Sequence, residues 1–90
     1  MSATPRMDIG NLQARVFART AELAGLSPDE ISAETTLESV GLGSSDAVIL
    51  ALEVEELFGT EIEVGIFLRF ASLGEAVEEL VRVLRADAKT

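Results

Sequence analysis

Apolar residues recur every three to four positions in three separate segments of this 90-residue chain. Such spacing is typical of helices that bury one face. It predicts long helices over about residues 8–24 and 44–58, and a third that begins at Ser72. Glu75 follows Ser72 by three positions, which is the capping-box pattern of a helix start. Three segments of this kind favour a helical bundle.

The connections between these segments complete the predicted fold. Acidic and apolar residues alternate at 61–64, as in a strand, but the helical patterns leave no second strand for pairing. A short helix from about Gly65 to Arg69 therefore fits better. The first connection is long, and apolar anchors can pack it across the helix ends: Ile31, Leu37, Val40 and Leu42. We therefore expect an all-α, small four-helix bundle with three long helices, one short helix and a long first connection. Residues 1–90 are expected to form one domain, with an ordered core at about 8–85.

Composition limits the classes of function. The chain has no Cys and no His, and its 16 acidic against 7 basic residues give a net charge of −9. Disulfides, thiolate metal sites and histidine-based catalysis are thereby excluded, so we expect no enzyme. The acidic surface disfavours nucleic acid and anionic membranes and suits partners with Lys and Arg patches. With neither a membrane-length apolar run nor a signal peptide, a monomeric cytoplasmic protein is the expectation.

The start of the second helix carries the most distinctive motif. The segment at 41–45 reads GLGSS, and the two glycines, Gly41 and Gly43, would let the backbone turn tightly before a serine pair. Serine at a helix start commonly caps the free backbone N–H groups, so Ser44 is open to a purely structural interpretation. A phosphate on that serine would also lie at the positive end of the helix dipole. Both interpretations are open from this spacing alone.

The same segment resembles the modification site of acyl and peptidyl carrier proteins, whose usual pattern is Gly-x-Asp-Ser-Leu. The resemblance continues through the helix end at 52–62 and the segment at 70–77, and it covers about residues 8–85. Counting back from Phe58 places the family's modified serine at Ser44 without a gap. Two positions depart from the pattern, because Gly43 replaces the Asp and Ser45 replaces the Leu.

The resemblance implies a function without catalysis. A phosphopantetheinyl transferase would attach 4'-phosphopantetheine from coenzyme A to the hydroxyl of Ser44, and the cofactor thiol would hold a biosynthetic intermediate as a thioester. The chain would be a discrete acyl, aminoacyl or peptidyl carrier that serves fatty-acid, polyketide or nonribosomal-peptide-type biosynthesis. The segment at 67–70, FLRF, also resembles peptidyl carriers. Further partners would be a loading enzyme and a downstream synthase or transferase with basic docking patches.

The second helix also predicts which residues meet those partners. Its core contacts are expected from Ala47, Leu50, Ala51, Val54, Leu57 and Phe58. The residues left on or near the outer face are candidate partner contacts: Ser45, Asp46, Ile49, Leu52, Glu53, Glu55 and Glu56. Two apolar residues one turn apart among acids are typical of a docking patch, although an acidic helix face is more often simply solvated.

Three alternatives compete with the carrier interpretation. An unmodified acidic interaction module is favoured by the departures at Gly43 and Ser45. A hydrolase that uses Ser44 would need Lys89 as its base, the sole lysine of the chain, near its C-terminal end, so we reject it. A carboxylate metal site from Glu53, Glu55 and Glu56 is less favoured than a solvated helix face.

Overall fold

The computed structural model describes residues 9–88 and contains four α-helices. Helix α1 spans Leu12–Ala24, α2 spans Ser44–Phe58, α3 spans Ile66–Arg69 and α4 spans Leu73–Ala88. Three short 3₁₀ turns precede or connect them, at Ile9–Asn11, Pro28–Glu30 and Glu38–Val40. The described residues contain no strand, so the predicted all-α bundle with three long helices and one short helix is confirmed.

Helix α1 begins later than its apolar pattern predicts. The segment Ile9–Asn11 forms a 3₁₀ turn, and Asp8, the first residue of the predicted helix, lies outside the described residues. Gly25 ends the helix with a left-handed φ of 73°, as its position predicts. Thr20 is completely buried, which the apolar pattern does not predict. Its hydroxyl donates to the carbonyl of Val16 at 2.8 Å, so the buried polar group is satisfied within the helix.

The hydrophobic core lies between α1, α2 and α4, and α3 closes one side. Five of the six predicted core residues of α2 are buried: Ala47, Leu50, Ala51, Val54 and Phe58. The sixth, Leu57, is half-buried and packs against the edge of the core. Its position on the helix lies towards a cleft between α1 and α2, where the two helices do not close over it. From α3, Ile66 and Phe67 enter the core, which accounts for the short helix.

The long first connection is fixed to the start of α4. The N–H of Leu73 donates to the carbonyl of Thr35 at 2.9 Å, and the N–H of Gly74 donates to the carbonyl of Ala33 at 2.8 Å. Ile31 and Leu37 enter the core, while Val40 and Leu42 pack against its edge. The connection is therefore an ordered part of the fold, and it delivers the chain to α2 from a defined direction.

Ser72 and Glu75 cap α4 in nearly the predicted way. The N–H of Glu75 donates to Oγ of Ser72 at 3.3 Å. The carboxylate of Glu75 accepts from the N–H of Ala71 at 3.1 Å, one residue earlier than in the standard capping box. Together with the bonds from the connection, these contacts satisfy the first free N–H groups of α4.

Candidate functional site

The loop before α2 turns at Gly41. This residue has a φ of 79°, in the left-handed region that favours glycine, and its N–H donates to the carbonyl of Glu38 at 3.1 Å. The N–H of Leu42 then reaches back to the carbonyl of Leu37 at 2.9 Å. Because Leu37 is buried, these bonds tie the loop to the core and set where α2 begins.

Gly43 is the N-cap of α2, and its backbone does not need a glycine. Its φ is −118° and its ψ is −165°, an extended conformation that any residue adopts. The N–H of Gly43 donates to Oδ2 of Asp46 at 3.1 Å, which is half of a capping box. The other half is missing because glycine has no side chain. The expectation that both glycines serve the tight turn is therefore wrong for Gly43.

Ser44 is the first residue of α2 rather than its cap, which corrects the structural interpretation of this serine. Its side chain is exposed, and its hydroxyl has no hydrogen-bond partner in the described part of the chain. The backbone N–H groups of Ser44, Ser45 and Asp46 likewise find no acceptor among residues 9–88, because the first bond of the helix runs from Ala47 to Gly43. An open hydroxyl thus lies beside an open helix N-terminus.

The predicted partner contacts divide into a central stripe and two flanks. At about 100° per residue, Ser45, Ile49, Leu52 and Glu56 share one outer line along α2, which we call the α2 stripe. Ile49 is 37% exposed and Leu52 is 48% exposed, and Ser45 and Glu56 are exposed as well. The flanking positions belong to Asp46 and Glu53 on one side and Glu55 on the other.

Each of the flanking acids has a partner within the protein. Both carboxylate oxygens of Glu53 accept from Nε of Arg19 on α1, at 2.9 and 3.0 Å. This hydrogen bond raises the pKa of the Arg19 guanidinium above its ordinary value. Oε1 of Glu55 accepts from the N–H of Ile62 at 3.2 Å, which holds the turn after α2. Asp46 caps Gly43, as described above.

Sequence reasoning missed these internal partners for different reasons. The spacing from Gly43 to Asp46 is that of an N-cap and its third helical residue, so the sequence carries a signal for that bond. The pair between Arg19 and Glu53 joins residues 34 positions apart and has no local signal. Glu55 reaches a backbone group seven positions on, beyond any helical spacing.

A cleft of about 100 Å³ lies between α1 and α2. Its apolar wall includes Leu12, Val16, Leu50, Val54 and Leu57, and the ion pair between Arg19 and Glu53 lies at its rim. The positions of its α2 residues lie roughly 130° around the helix from Ser44. The cleft and the serine therefore occupy different faces of α2.

Two features of the described chain bear on the alternatives. Within residues 9–88, no three or more acidic side chains are grouped so that they could hold a metal ion. The same part of the chain contains no helix that is long and apolar enough to cross a membrane. Lys89, the base that a hydrolase would need, lies outside the described residues.

Comparison with known proteins identifies the class. The family model described as "Phosphopantetheine attachment site" matches residues 14–80, and the chain belongs to this family. It is also 42% identical over 48 residues to the non-reducing polyketide synthase pigA of Monascus ruber; the match covers 53% of this chain and 2% of that protein. No solved structure matches the chain. The protein is thus a carrier protein of the family that binds 4'-phosphopantetheine covalently, and such carrier domains are generally not catalysts.

Proposed function

We propose that Ser44 is the residue that carries 4'-phosphopantetheine. The observation that supports this assignment is the exposed hydroxyl at the first position of α2, which has no partner in the described residues. Ser45 is also exposed, but it lies on the α2 stripe, about 100° around the helix from Ser44. The spacing from Gly41 and from Phe58 also favours Ser44 over its neighbour.

The start of α2 fits the phosphodiester that joins serine to this cofactor. The N–H groups of Ser44, Ser45 and Asp46 point out of the first turn and lack protein acceptors in the described chain. A helix N-terminus also carries a partial positive charge, which favours an anionic group there. When bound, the cofactor supplies a terminal thiol that carries the cargo as a thioester. The residues of this chain contribute an accessible hydroxyl, the orientation set by Gly41, and a favourable charge environment.

We further propose that the chain is a carrier for a polyketide-type pathway. The support is its similarity to part of a non-reducing polyketide synthase, together with membership of the carrier family. The described residues share one hydrophobic core, which supports the assignment of the chain to one carrier domain. Loading from coenzyme A would take place in the cytoplasm. A fatty-acid, aminoacyl or peptidyl cargo is the alternative, and the mass of the cargo on protein isolated from its natural host distinguishes these pathways.

The outer face of α2 is the proposed contact for the transferase, the loading enzyme and the downstream synthase. Ile49 and Leu52 offer apolar surface next to Ser45 and Glu56. The flanking Asp46 and Glu55 add negative charge, while the charge of Glu53 is balanced by Arg19. Acidic residues of this kind act on association rate and orientation more than on affinity. Basic patches on the partners would complement them.

The assignment of Ser44 is tested by incubation with coenzyme A and a phosphopantetheinyl transferase, followed by intact and peptide mass spectrometry. We expect one phosphopantetheinyl group on Ser44. Ser44→Ala should abolish the mass increase because it removes the nucleophile, whereas Ser45→Ala is the matched control and should retain it. Modification that survives in Ser44→Ala would refute the assignment.

A second candidate is an unmodified interaction module with the fold of a carrier. It is favoured by Gly43 and Ser45, which replace the usual Asp and Leu around the serine. In that case no transferase would modify the parent protein, and partners would still bind the outer face of α2. Binding without a mass increase, with several transferases of different origin, would favour this module.

A further inference from the structure

The first connection contains a turn at residues 36–39 that two hydroxyl side chains close from both ends. The N–H of Ser39 donates to Oγ1 of Thr36 at 3.1 Å, and the N–H of Thr36 donates to Oγ of Ser39 at 3.3 Å. Oγ of Ser39 also donates to the carbonyl of Thr36 at 2.7 Å. Each side chain therefore binds the backbone of the other residue, and we call this arrangement the 36–39 turn.

Burial does not account for this pair of hydroxyls. Ser39 is exposed and Thr36 is half-buried, so water could satisfy the same polar groups. Reciprocal bonds between side chain and backbone instead restrict the conformations that an exposed connection would otherwise sample. The effect of the pair is thus to fix the course of the chain rather than to satisfy buried atoms.

The restricted backbone lies directly before the loop that leads to Ser44. Leu37, inside the turn, is buried, and its carbonyl accepts from the N–H of Leu42 at 2.9 Å. On the other side, the carbonyl of Thr35 accepts from the N–H of Leu73 at 2.9 Å, so α4 holds the chain just before the turn. The direction of the Leu37 carbonyl therefore determines where Leu42 lies, two residues before Ser44.

The start of α2 depends on this upstream support because its own cap is incomplete. Gly43 has no side chain, so α2 lacks the usual side-chain acceptor for its first N–H groups. The remaining restraints include the bond from Gly43 to Asp46 and the bond to the carbonyl of Leu37 described above. A looser 36–39 turn would weaken the second of these bonds and widen the range of positions that Ser44 samples.

We propose that Thr36 and Ser39 are positioning residues for the transfer of phosphopantetheine to Ser44. This inference rests on the proposed function of Ser44. Both hydroxyls act through the backbone, because they hold the carbonyl of Leu37 where Leu42 can bind it. A transferase that meets a serine already held in place binds it without first ordering the loop, which lowers KM.

Steady-state transfer from coenzyme A by a broad-specificity phosphopantetheinyl transferase, followed by mass spectrometry, tests the proposal. Ser39→Ala and Thr36→Val each remove one hydroxyl, and we expect kcat/KM to fall roughly three- to tenfold. The loss should lie in KM with kcat nearly unchanged, because only a fraction of the protein would present the serine correctly. Thr36→Ser keeps the hydroxyl and should restore the parent value. All rates are measured where circular dichroism shows each variant fully folded, so a loss of stability alone would not change them.

Hydrogen exchange at the amide of Leu42 gives a readout that does not depend on the transferase. This N–H is bonded to the carbonyl of Leu37 in the parent, so its exchange should accelerate in Ser39→Ala and in Thr36→Val. Thr36→Ser should return it to the parent rate.

The matched control is Ser32→Ala, which removes an exposed hydroxyl from the preceding turn of the same connection. Within the described chain, that hydroxyl is bonded to the side chains of Glu34 and Thr35, at 3.3 and 3.4 Å. Its removal should leave kcat/KM and the exchange at Leu42 unchanged.

The outcomes separate the positioning role from the attachment site. A parent modified at Ser44, with kcat/KM unchanged in Ser39→Ala and Thr36→Val, overturns the positioning role alone, even if exchange at Leu42 is faster. A fall in kcat/KM that Thr36→Ser does not restore, or an equal fall in Ser32→Ala, overturns it as well. No mass increase in the parent refutes the attachment site, and the positioning role with it.

Discussion

Helices α2 and α4 both bury an apolar stripe, but their N-terminal ends differ. At α4, the N–H groups of Leu73, Gly74 and Glu75 are bonded to Thr35, Ala33 and Ser72. At α2, the first three N–H groups have no acceptor in the described chain. The start of α4 therefore holds the first connection, whereas the start of α2, the proposed attachment site, keeps its first N–H groups open. On the proposed assignment of Ser44, one helix start supports the fold and the other carries the cofactor.

The outer faces of the two helices also differ in how their side chains are partnered. On α4, the acid Glu79 is paired with Arg82 one turn later, with Nε of Arg82 at 2.9 Å from Oε1 of Glu79. The hydrogen bond from Arg82 lowers the pKa of Glu79, and the nearby charge of Arg69 acts in the same direction. Helix α2 has no basic residue, and it exposes Ile49 and Leu52. The outer face of α4 thus includes an ion pair within the helix, whereas α2 combines acids with exposed apolar side chains.

The largest expected effect tests whether the buried faces of α2 and α4 are equivalent. Val54 is 3% exposed and Leu80 is fully buried. Replacement of either by Ala should lower the free energy of unfolding by about 2–5 kcal/mol, because buried methyl groups are lost and a cavity remains. Urea denaturation followed by circular dichroism measures the change. Leu52→Ala is the control for α2, and it should cost at most about 0.5 kcal/mol because the side chain is already half exposed.

Similar losses for Val54→Ala and Leu80→Ala would locate the difference between the helices in their ends and outer faces. A loss near 0.5 kcal/mol for either core variant would show that its helix face is wrongly assigned. A large loss for Leu52→Ala would mean that this residue supports the fold, and it would remove the α2 stripe as a free surface.

Helical spacing was sufficient for most of the fold. The bounds predicted for α2 agree with Ser44–Phe58, and the predicted helix from Gly65 to Arg69 differs from α3 by one residue. The pattern could not show that the turn at Ile9–Asn11 would be 3₁₀, since both helix types present residues three apart on one side. The pattern could also not show that Leu57 is only half-buried. Its exposure depends on how closely α1 approaches α2, which is a tertiary property.

The candidate site was less predictable than the fold. The motif placed Ser44 at the start of α2, but it could not distinguish a cap from the first helical residue. Acids at outward positions looked equivalent in the sequence, yet Glu53 binds Arg19 on another helix and Glu55 binds the N–H of Ile62. Such pairs depend on long-range packing. The availability of an acid to a partner therefore has to be taken from the structure.

The next effect tests the closed start of α4 through Gly74. A methyl group there would lie 2.7 Å from Cβ and 2.9 Å from the carbonyl oxygen of Ala33. Gly74→Ala should therefore destabilise the fold by about 1–3 kcal/mol, although alanine is ordinarily the better helix residue. Thermal and urea denaturation measure the change. Gly65→Ala is the matched control, because a methyl group at Gly65 meets nothing within 4 Å.

If Gly74→Ala is neutral or stabilising, the connection does not pack against α4 as closely as the two backbone bonds indicate. If Gly65→Ala is equally costly, the loss at Gly74 cannot be assigned to Ala33. The expected result, a loss at Gly74 alone, would establish that the start of α4 fixes the connection that leads to Ser44.

The smallest effect concerns the open start of α2 and uses Gly43→Asp. A Cβ at this position meets nothing within 4 Å, and the extended backbone accepts any residue, so the variant should fold normally. The new carboxylate can accept from a free N–H group of the first turn, which should stabilise the protein by a few tenths of a kcal/mol, about the difference between Gly and Asp as N-caps. It also restores the Gly-x-Asp-Ser pattern that carrier proteins usually present. We expect kcat/KM for transfer of phosphopantetheine to rise roughly two- to fivefold, the range of one exposed charge contact.

Gly43→Ala adds the Cβ without the carboxylate and should leave the rate unchanged. An equal gain from Ala would assign the effect to backbone stiffening instead. A slower reaction of Gly43→Asp would show that the free N–H groups, rather than a carboxylate before the serine, are what the transferase uses at the start of α2.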